Sequence, residues 1–101
     1  VIVAELENRI VGFATLKAGN YIDLFYVHKA YQRLGIARKL YNSVQNKATE
    51  LNQREITSDV SITAKPFFEI LGFEVIKKQT VVRKQVNFTN FKMRKKLLYN
   101  S

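Results

Sequence analysis

The stretch that most constrains this chain is Tyr21-Ile-Asp-Leu-Phe-Tyr-Val27, followed by His28-Lys-Ala-Tyr-Gln-Arg-Leu-Gly-Ile-Ala37 and an amphipathic segment reaching Leu51. Aromatic and β-branched residues dominate the first part, which suits a half-buried strand. In the last part Ile36, Leu40, Val44, Ala48 and Leu51 recur at helical spacing, with Ala37 and Tyr41 widening the stripe. Arg38, Asn42, Gln45, Asn46 and Thr49 fall on the opposite face. A strand that turns at a glycine into a helix start collects unpaired N–H groups and the positive end of the helix dipole at one point. Gly35 brings no Cβ to obstruct an anion, and Arg33, Arg38 and Lys39 add positive charge. The residues predict a phosphate cradle. A tight turn with a solvated basic rim would use the same residues, since one glycine is a weaker signal than a full nucleotide-binding fingerprint.

The 101 residues allow one domain, read here as 1–101, and a hydrophobic fraction of 47% is ample for a core. No apolar run is long enough to span a bilayer, and nothing resembles a signal peptide. With no cysteine there is no disulfide framework. The expected compartment is the cytoplasm. A net charge of +9 asks for an anionic partner. Part of that charge is the C-terminal group Lys92, Arg94, Lys95 and Lys96, and no RNA-binding aromatic pattern, zinc spacing or recognition helix accompanies it. A basic nucleic-acid-binding module is therefore the weaker reading.

Along the chain, Val1–Leu6, Ile10–Lys17 and Tyr21–Val27 read as three strands joined by the turns Glu7-Asn8-Arg9 and Ala18-Gly19-Asn20. Connections this short require an antiparallel meander. Gly12 marks a bulge or a close approach of backbones. After the long helix, Glu55–Val60 reads as a strand parallel to Tyr21–Val27, with the helix as a right-handed crossover. A second helix is expected from about Ala64 to Leu71, capped by Ser61 or Thr63, with Pro66 in its first turn and Gly72 as its stop. Phe73–Val82 and Val86 to about Lys95 form a closing hairpin, on which Lys77 and Lys78 discourage edge-to-edge association. The fold class is a mixed α/β sheet with helices packed on it.

Two motifs carry a family resemblance. Gln32-x-x-Gly35-x-Ala37, five residues beyond Val27, resembles the acyl-CoA-binding motif of the GNAT superfamily of N-acetyltransferases. Ser61-x-x-Ala64-x-x-Phe67-Phe68-x-x-x-Gly72-Phe73 is similar to that superfamily's second conserved segment, above all to one bacterial branch. Both occur in the family's order, separated by a helix and a strand. The resemblance implies a GNAT-like acyl-CoA N-acyltransferase fold, lacking the strand and two helices that precede the counterpart of Val1–Leu6. It implies that the strands matching Tyr21–Val27 and Glu55–Val60 start as a parallel pair and then splay apart.

Acetyl-CoA is the implied acyl donor, with no metal, and an amine is the implied acceptor. The main chain of Phe25, Tyr26 and Val27 would meet pantetheine. Gln32, Arg33, Leu34, Gly35, Ile36, Ala37 and Arg38 would hold the pyrophosphate, and Ser61 and Phe68 would meet the cofactor arm. Ser61 replaces the usual asparagine, and Lys29 a common proline. Phe68 replaces the tyrosine that often protonates the departing thiolate. Asp23, placed by strand alternation on the face of Phe25 and Val27, is the candidate general base; a surface pair with a lysine is its plainer role. His28, Tyr21, Tyr26 and Tyr41 read as surface or packing residues. Nucleic acid and membrane are not expected as partners, and a homodimer is left open.

Overall fold

The computed structural model describes residues 1–32 and 35–97. A six-stranded sheet forms its frame, with strands β1 (Ile2–Leu6), β2 (Arg9–Lys17), β3 (Tyr21–Val27), β4 (Glu55–Ser61), β5 (Glu74–Arg83) and β6 (Val86–Lys96). Helix α1 (Ile36–Glu50) connects β3 to β4, and the short α2 (Lys65–Ile70) connects β4 to β5. Two-residue turns close β1–β2 and β5–β6, with positive φ at Glu7 and Asn8 and again at Lys84 and Gln85. Such turns match the twist of the strands they join. The meander and the closing hairpin therefore stand as expected.

The strand order is β1-β2-β3-β4-β6-β5. β3 and β4 are parallel, β4 pairs antiparallel with β6, and β5 lies outermost, so Lys77 and Lys78 do sit on an edge strand. One face of the sheet carries the core, in which Val11, Ala14, Ile22, Ile56, Val60 and Met93 meet Leu40, Tyr41, Val44 and Ala48 of α1. Phe68, Leu71 and Phe73 close that core from the α2 side. Each large apolar side chain removed from water here contributes roughly 1.5–3 kcal/mol. Leu51 does not join the stripe its spacing suggested. The helix ends at Glu50, and Leu51, as the C-cap, is 45% exposed.

Gly12 is a close approach rather than a bulge. A Cβ built there would lie 2.8 Å from the carbonyl oxygen of Tyr26 on β3. The extra residues occur elsewhere: Val11 falls between the pairs Ala4↔Gly12 and Glu5↔Ile10, and Asp23 between Thr15↔Leu24 and Leu16↔Ile22. Gly12→Ala must push the two strands apart, and overpacking of this kind costs about 1–3 kcal/mol. Thermal unfolding should show a midpoint lowered by at least about 4 °C; an unchanged midpoint would refute the close packing of β2 on β3.

Candidate functional site

Pairing between β3 and β4 is short. The strands are in register only at Tyr21↔Thr57 and Ile22↔Ser58, and Ser58 Oγ donates to the Ile22 carbonyl (2.9 Å) to tie the last pair. Beyond that point β4 stays with β6 and β3 stays with β2, so their facing edges separate. Main-chain groups from Asp23 to Val27 thus border a split, with no strand on that side to bond them. Backbone donors and acceptors left this way call for another partner.

The split opens into a cleft of about 530 Å³ lined by Phe25, Val27, Gln32, Gly35, Ala37, Arg38, Thr63, Ala64 and Phe67. A more open concavity of about 620 Å³ lies at the other end of the sheet, among Asn52, Arg54, Glu55, Lys96 and Leu97. It adjoins neither helix N-terminus, so it offers no comparable set of free amides. In the cleft, the chain leaves β3 through a single 3-10 turn at Lys29–Tyr31, and His28 Nδ1 accepts from the Ala30 amide (3.1 Å). Gln32 Nε2 then donates to the Val27 carbonyl (3.3 Å), pinning the loop to the strand end. Arg33 and Leu34 lie outside the described residues.

Gly35 is the N-cap of α1 at φ 77°, a left-handed conformation that suits glycine, and it supplies no side-chain cap. The amides of Ile36, Ala37 and Arg38 follow in the first turn, where a helix has no acceptors of its own for them. A Cβ at Gly35 would meet nothing within 4 Å, so the space in front of it is open. That geometry suits an anion. Ile36 itself is buried at 8% exposure, so its amide rather than its side chain faces this space.

The second helix contributes differently from the sequence expectation. Ser61 Oγ accepts from the Ala64 amide (3.2 Å) in the turn ahead of α2, leaving its proton available. The N-cap itself is Ala64, with no side-chain cap, so neither Ser61 nor Thr63 caps the helix as expected. Phe68 is in the core at 5% exposure, with its ring 5.1 Å from Phe73 and 6.1 Å from Phe25. Phe67 lines the cleft instead, 6.0 Å from Phe25. Adjacent helical residues point about 100° apart, so the motif alone did not say which of the two rings faced the cleft. Thr63 and Ala64 also line it and were absent from the expected set.

Asp23 does not share a face with Phe25 and Val27. As the extra residue opposite Thr15 and Leu16, it shifts the alternation, and Ile22 takes the buried side at 2% exposure. The Thr15 hydroxyl accepts from the Leu24 amide (3.1 Å) at this irregularity. The Asp23 carboxylate lies 3.9 Å from Lys17 Nζ. On the same side, Tyr21 Oη donates to Asp59 Oδ2 (2.7 Å), and Gln79 Nε2 donates to Asp59 Oδ1 (2.9 Å). The bond to Asp59, followed by burial and the charges of Asp59 and Asp23, pushes the Tyr21 phenol up to about 12. Tyr21 therefore keeps its proton at neutral pH and donates it to Asp59. This bridge between β3 and β4 went unread in the sequence because it depends on which strands pair. Tyr26 is half exposed on this side, 5.7 Å from Phe13, so its main chain alone borders the split.

No group of three or more metal-ligating side chains occurs among the described residues. Among the described residues no helix is long and apolar enough to cross a membrane.

A family model described as an acetyltransferase (GNAT) domain matches residues 1–96. The chain is 42% identical over 94 residues to the uncharacterised N-acetyltransferase YafP of Escherichia coli strain K12, covering 93% of this chain and 59% of that protein. A crystal structure of a GCN5-related N-acetyltransferase from Rhodopseudomonas palustris superposes with a TM-score of 0.87 at 30% identity, over 94% of this chain and 59% of that one. An aminoglycoside 6′-N-acetyltransferase solved with coenzyme A shares the fold at a TM-score of 0.77 and 14% identity, over 98% of this chain and 73% of that one. The chain spans about three-fifths of the length of YafP and of the Rhodopseudomonas protein. A family match running through both motifs and nearly every residue, on a sheet that splits where the glycine-led helix begins, leads to one assignment: this chain belongs to the GNAT acetyltransferase family.

Proposed function

We propose that the cleft binds acetyl-CoA and that the domain serves an enzyme transferring the acetyl group directly to an amine. The observation that carries this reading is the split between β3 and β4 beside the first turn of α1. An extended amide-bearing arm can bond the free edge of β3 at Phe25, Tyr26 and Val27, while a pyrophosphate accepts from the amides at Gly35 to Arg38. Gln32 holds the loop in place for that contact. Phe25 and Phe67 give the arm an apolar wall, and the Ser61 hydroxyl has a proton left to donate.

In the reaction, the amine nitrogen forms a bond to the thioester carbonyl carbon and the carbon–sulfur bond breaks. The nitrogen loses one proton and the sulfur gains one. Asp23, off the cleft face beside Lys17, is our candidate to receive the first proton through water, once Lys17 is displaced from it. Phe68 has no proton to give and is buried, so the sulfur leaves as thiolate and takes its proton from water. A thiol pKa of about 8.5 makes that departure feasible near neutral pH.

Calorimetric titration with acetyl-CoA tests the donor, and thiol release across a panel of amines tests the transfer. Saturable binding together with release from one amine class is the expected result. Absence of binding would remove the reading altogether. Binding without release from any amine would favour the second reading, a CoA-binding module whose acceptor site is built elsewhere.

A further inference from the structure

The sheet is built as two halves, β1-β2-β3 and β4-β6-β5, joined along a short seam. Among the described residues the seam holds in register only Tyr21↔Thr57 and Ile22↔Ser58. At its start the Thr57 amide donates to the Asn20 carbonyl (2.8 Å). A side-chain bond then stands on each face of the sheet where the strands part. On the core face Ser58, 4% exposed, donates from Oγ to the Ile22 carbonyl (2.9 Å). On the opposite face Tyr21 Oη donates to Asp59 Oδ2 (2.7 Å), one pleat beyond its own cross-strand partner Thr57. This second bond reaches past the last main-chain pair to the part of β4 that borders the split.

Asp59 is itself anchored from the far side. Gln79 Nε2 donates to Asp59 Oδ1 (2.9 Å) and to Asn90 Oδ1 (3.2 Å). One line of side chains thus crosses four strands: Tyr21 on β3, Asp59 on β4, Asn90 on β6 and Gln79 on β5. Donors on opposite sides engage both oxygens of Asp59, and a charged acceptor makes such bonds roughly twice as strong as neutral ones. The bond to Asp59, followed by burial, raises the Tyr21 phenol to about 12, so the donor stays in place at neutral pH.

We propose that the Tyr21–Asp59 bond is a latch that fixes the width of the split, making both residues positioning residues for the acyl donor. This rests on the cleft reading above, in which an extended amide-bearing arm bonds the free edge of β3. Neither side chain lines the cleft, so the latch acts through the strands that carry it. Backbone N–H···O bonds hold over only about 2.7–3.2 Å, so a split that shifts by about half an ångström weakens its bonds to the arm. The pyrophosphate end of the donor, at the first turn of α1, lies outside the latch's reach. The competing role is a plain surface hydrogen bond that adds stability alone.

The test titrates coenzyme A and ADP by calorimetry into the wild type, Tyr21→Phe, Asp59→Ala and the double variant. ADP carries the pyrophosphate but no arm, so it reports the cradle without the split. Tyr21→Phe keeps the ring and removes only the hydroxyl. It should lower the affinity for CoA on the order of tenfold, the scale of one hydrogen bond to a charged group, and leave ADP unchanged. Asp59→Ala should behave likewise, and the double variant should bind no more weakly than Asp59→Ala, because one shared bond is lost only once. Equal CoA affinity in the wild type and Tyr21→Phe would overturn the latch and leave the cleft reading standing. So would a parallel loss for both ligands, which marks a general loosening of the fold, or additive losses in the double variant. A wild type that binds CoA no more tightly than ADP would overturn the placement of the arm in the split, and the latch with it.

Discussion

Gly35→Asp should lower the affinity for acetyl-CoA by about 100-fold or more while leaving the fold largely intact. The residue caps α1 at φ 77°, and the space before its Cα is open. A side chain there projects into the place assigned to the pyrophosphate, between the first-turn amides and the cleft. A carboxylate within about 4 Å of a phosphate would repel it by up to about 4 kcal/mol at an effective dielectric of 20, and each 1.4 kcal/mol is tenfold. Aspartate tolerates the left-handed region better than most residues and favours helix N-caps, so the helix itself is not expected to unravel. Gly35→Asn separates charge from bulk: it should bind better than Gly35→Asp and worse than the wild type. Calorimetry on the three proteins decides the matter, and equal affinity in wild type and Gly35→Asp would sink the cradle.

The largest loss of stability is expected from Leu40→Ala. Leu40 is 1% exposed in the second turn of α1, in the core with Tyr41 and Val44. Removing its isobutyl group loses transfer free energy and leaves a hole that close-packed neighbours fill only in part, at a cost of about 2–5 kcal/mol. For a domain of this size that is a fall of roughly 8–40 °C in the unfolding midpoint, at about 4–8 °C per kcal/mol. Leu51→Ala is the informative companion. Its helical spacing matches Leu40, but at 45% exposure it should change stability by no more than about 0.5 kcal/mol. Thermal denaturation of both variants tests where the helix stops packing; comparable losses would mean that α1 continues its buried stripe past Glu50.

Tyr21, Asp59 and Gln79 come from β3, β4 and β5 and meet through two hydrogen bonds. Asp59 is held by donors on both oxygens, whereas Asp23 faces a single lysine at 3.9 Å. Of the two carboxylates, Asp23 is the less constrained, and its lysine pairing is the plainer surface role that the sequence also allowed.

Much of this molecule is determined locally. Apolar alternation, helical spacing and the residues flanking each element were enough for six strands and two helices, with most ends displaced by at most one residue and the end of α1, expected near Asn52-Gln53, displaced by two or three. Gly35 was legible as the start of α1 because a left-handed cap between a strand and an amphipathic run has few other causes. Gln32 and Ala37 were legible with it. All of these depend on interactions between near neighbours in the chain.

Tertiary pairing decided the rest. β6 lies between β4 and β5, which no local pattern requires, because a hairpin can add to a sheet by either of its strands. A single extra residue in β3 turned Asp23 towards Lys17 and put Ile22 in the core, since side chains in a strand alternate and one insertion reverses every later assignment. Phe67 rather than Phe68 came to line the cleft because the sheet beneath α2 sets the rotation of so short a helix. Lys95, read in the sequence as part of a basic tail, reaches Gln45 and Tyr41 of α1 only because β6 pairs with β4 beneath that helix. Spacing along the chain reports which side of its own element a residue occupies; which other element it meets there is settled by the packing of surfaces distant in sequence.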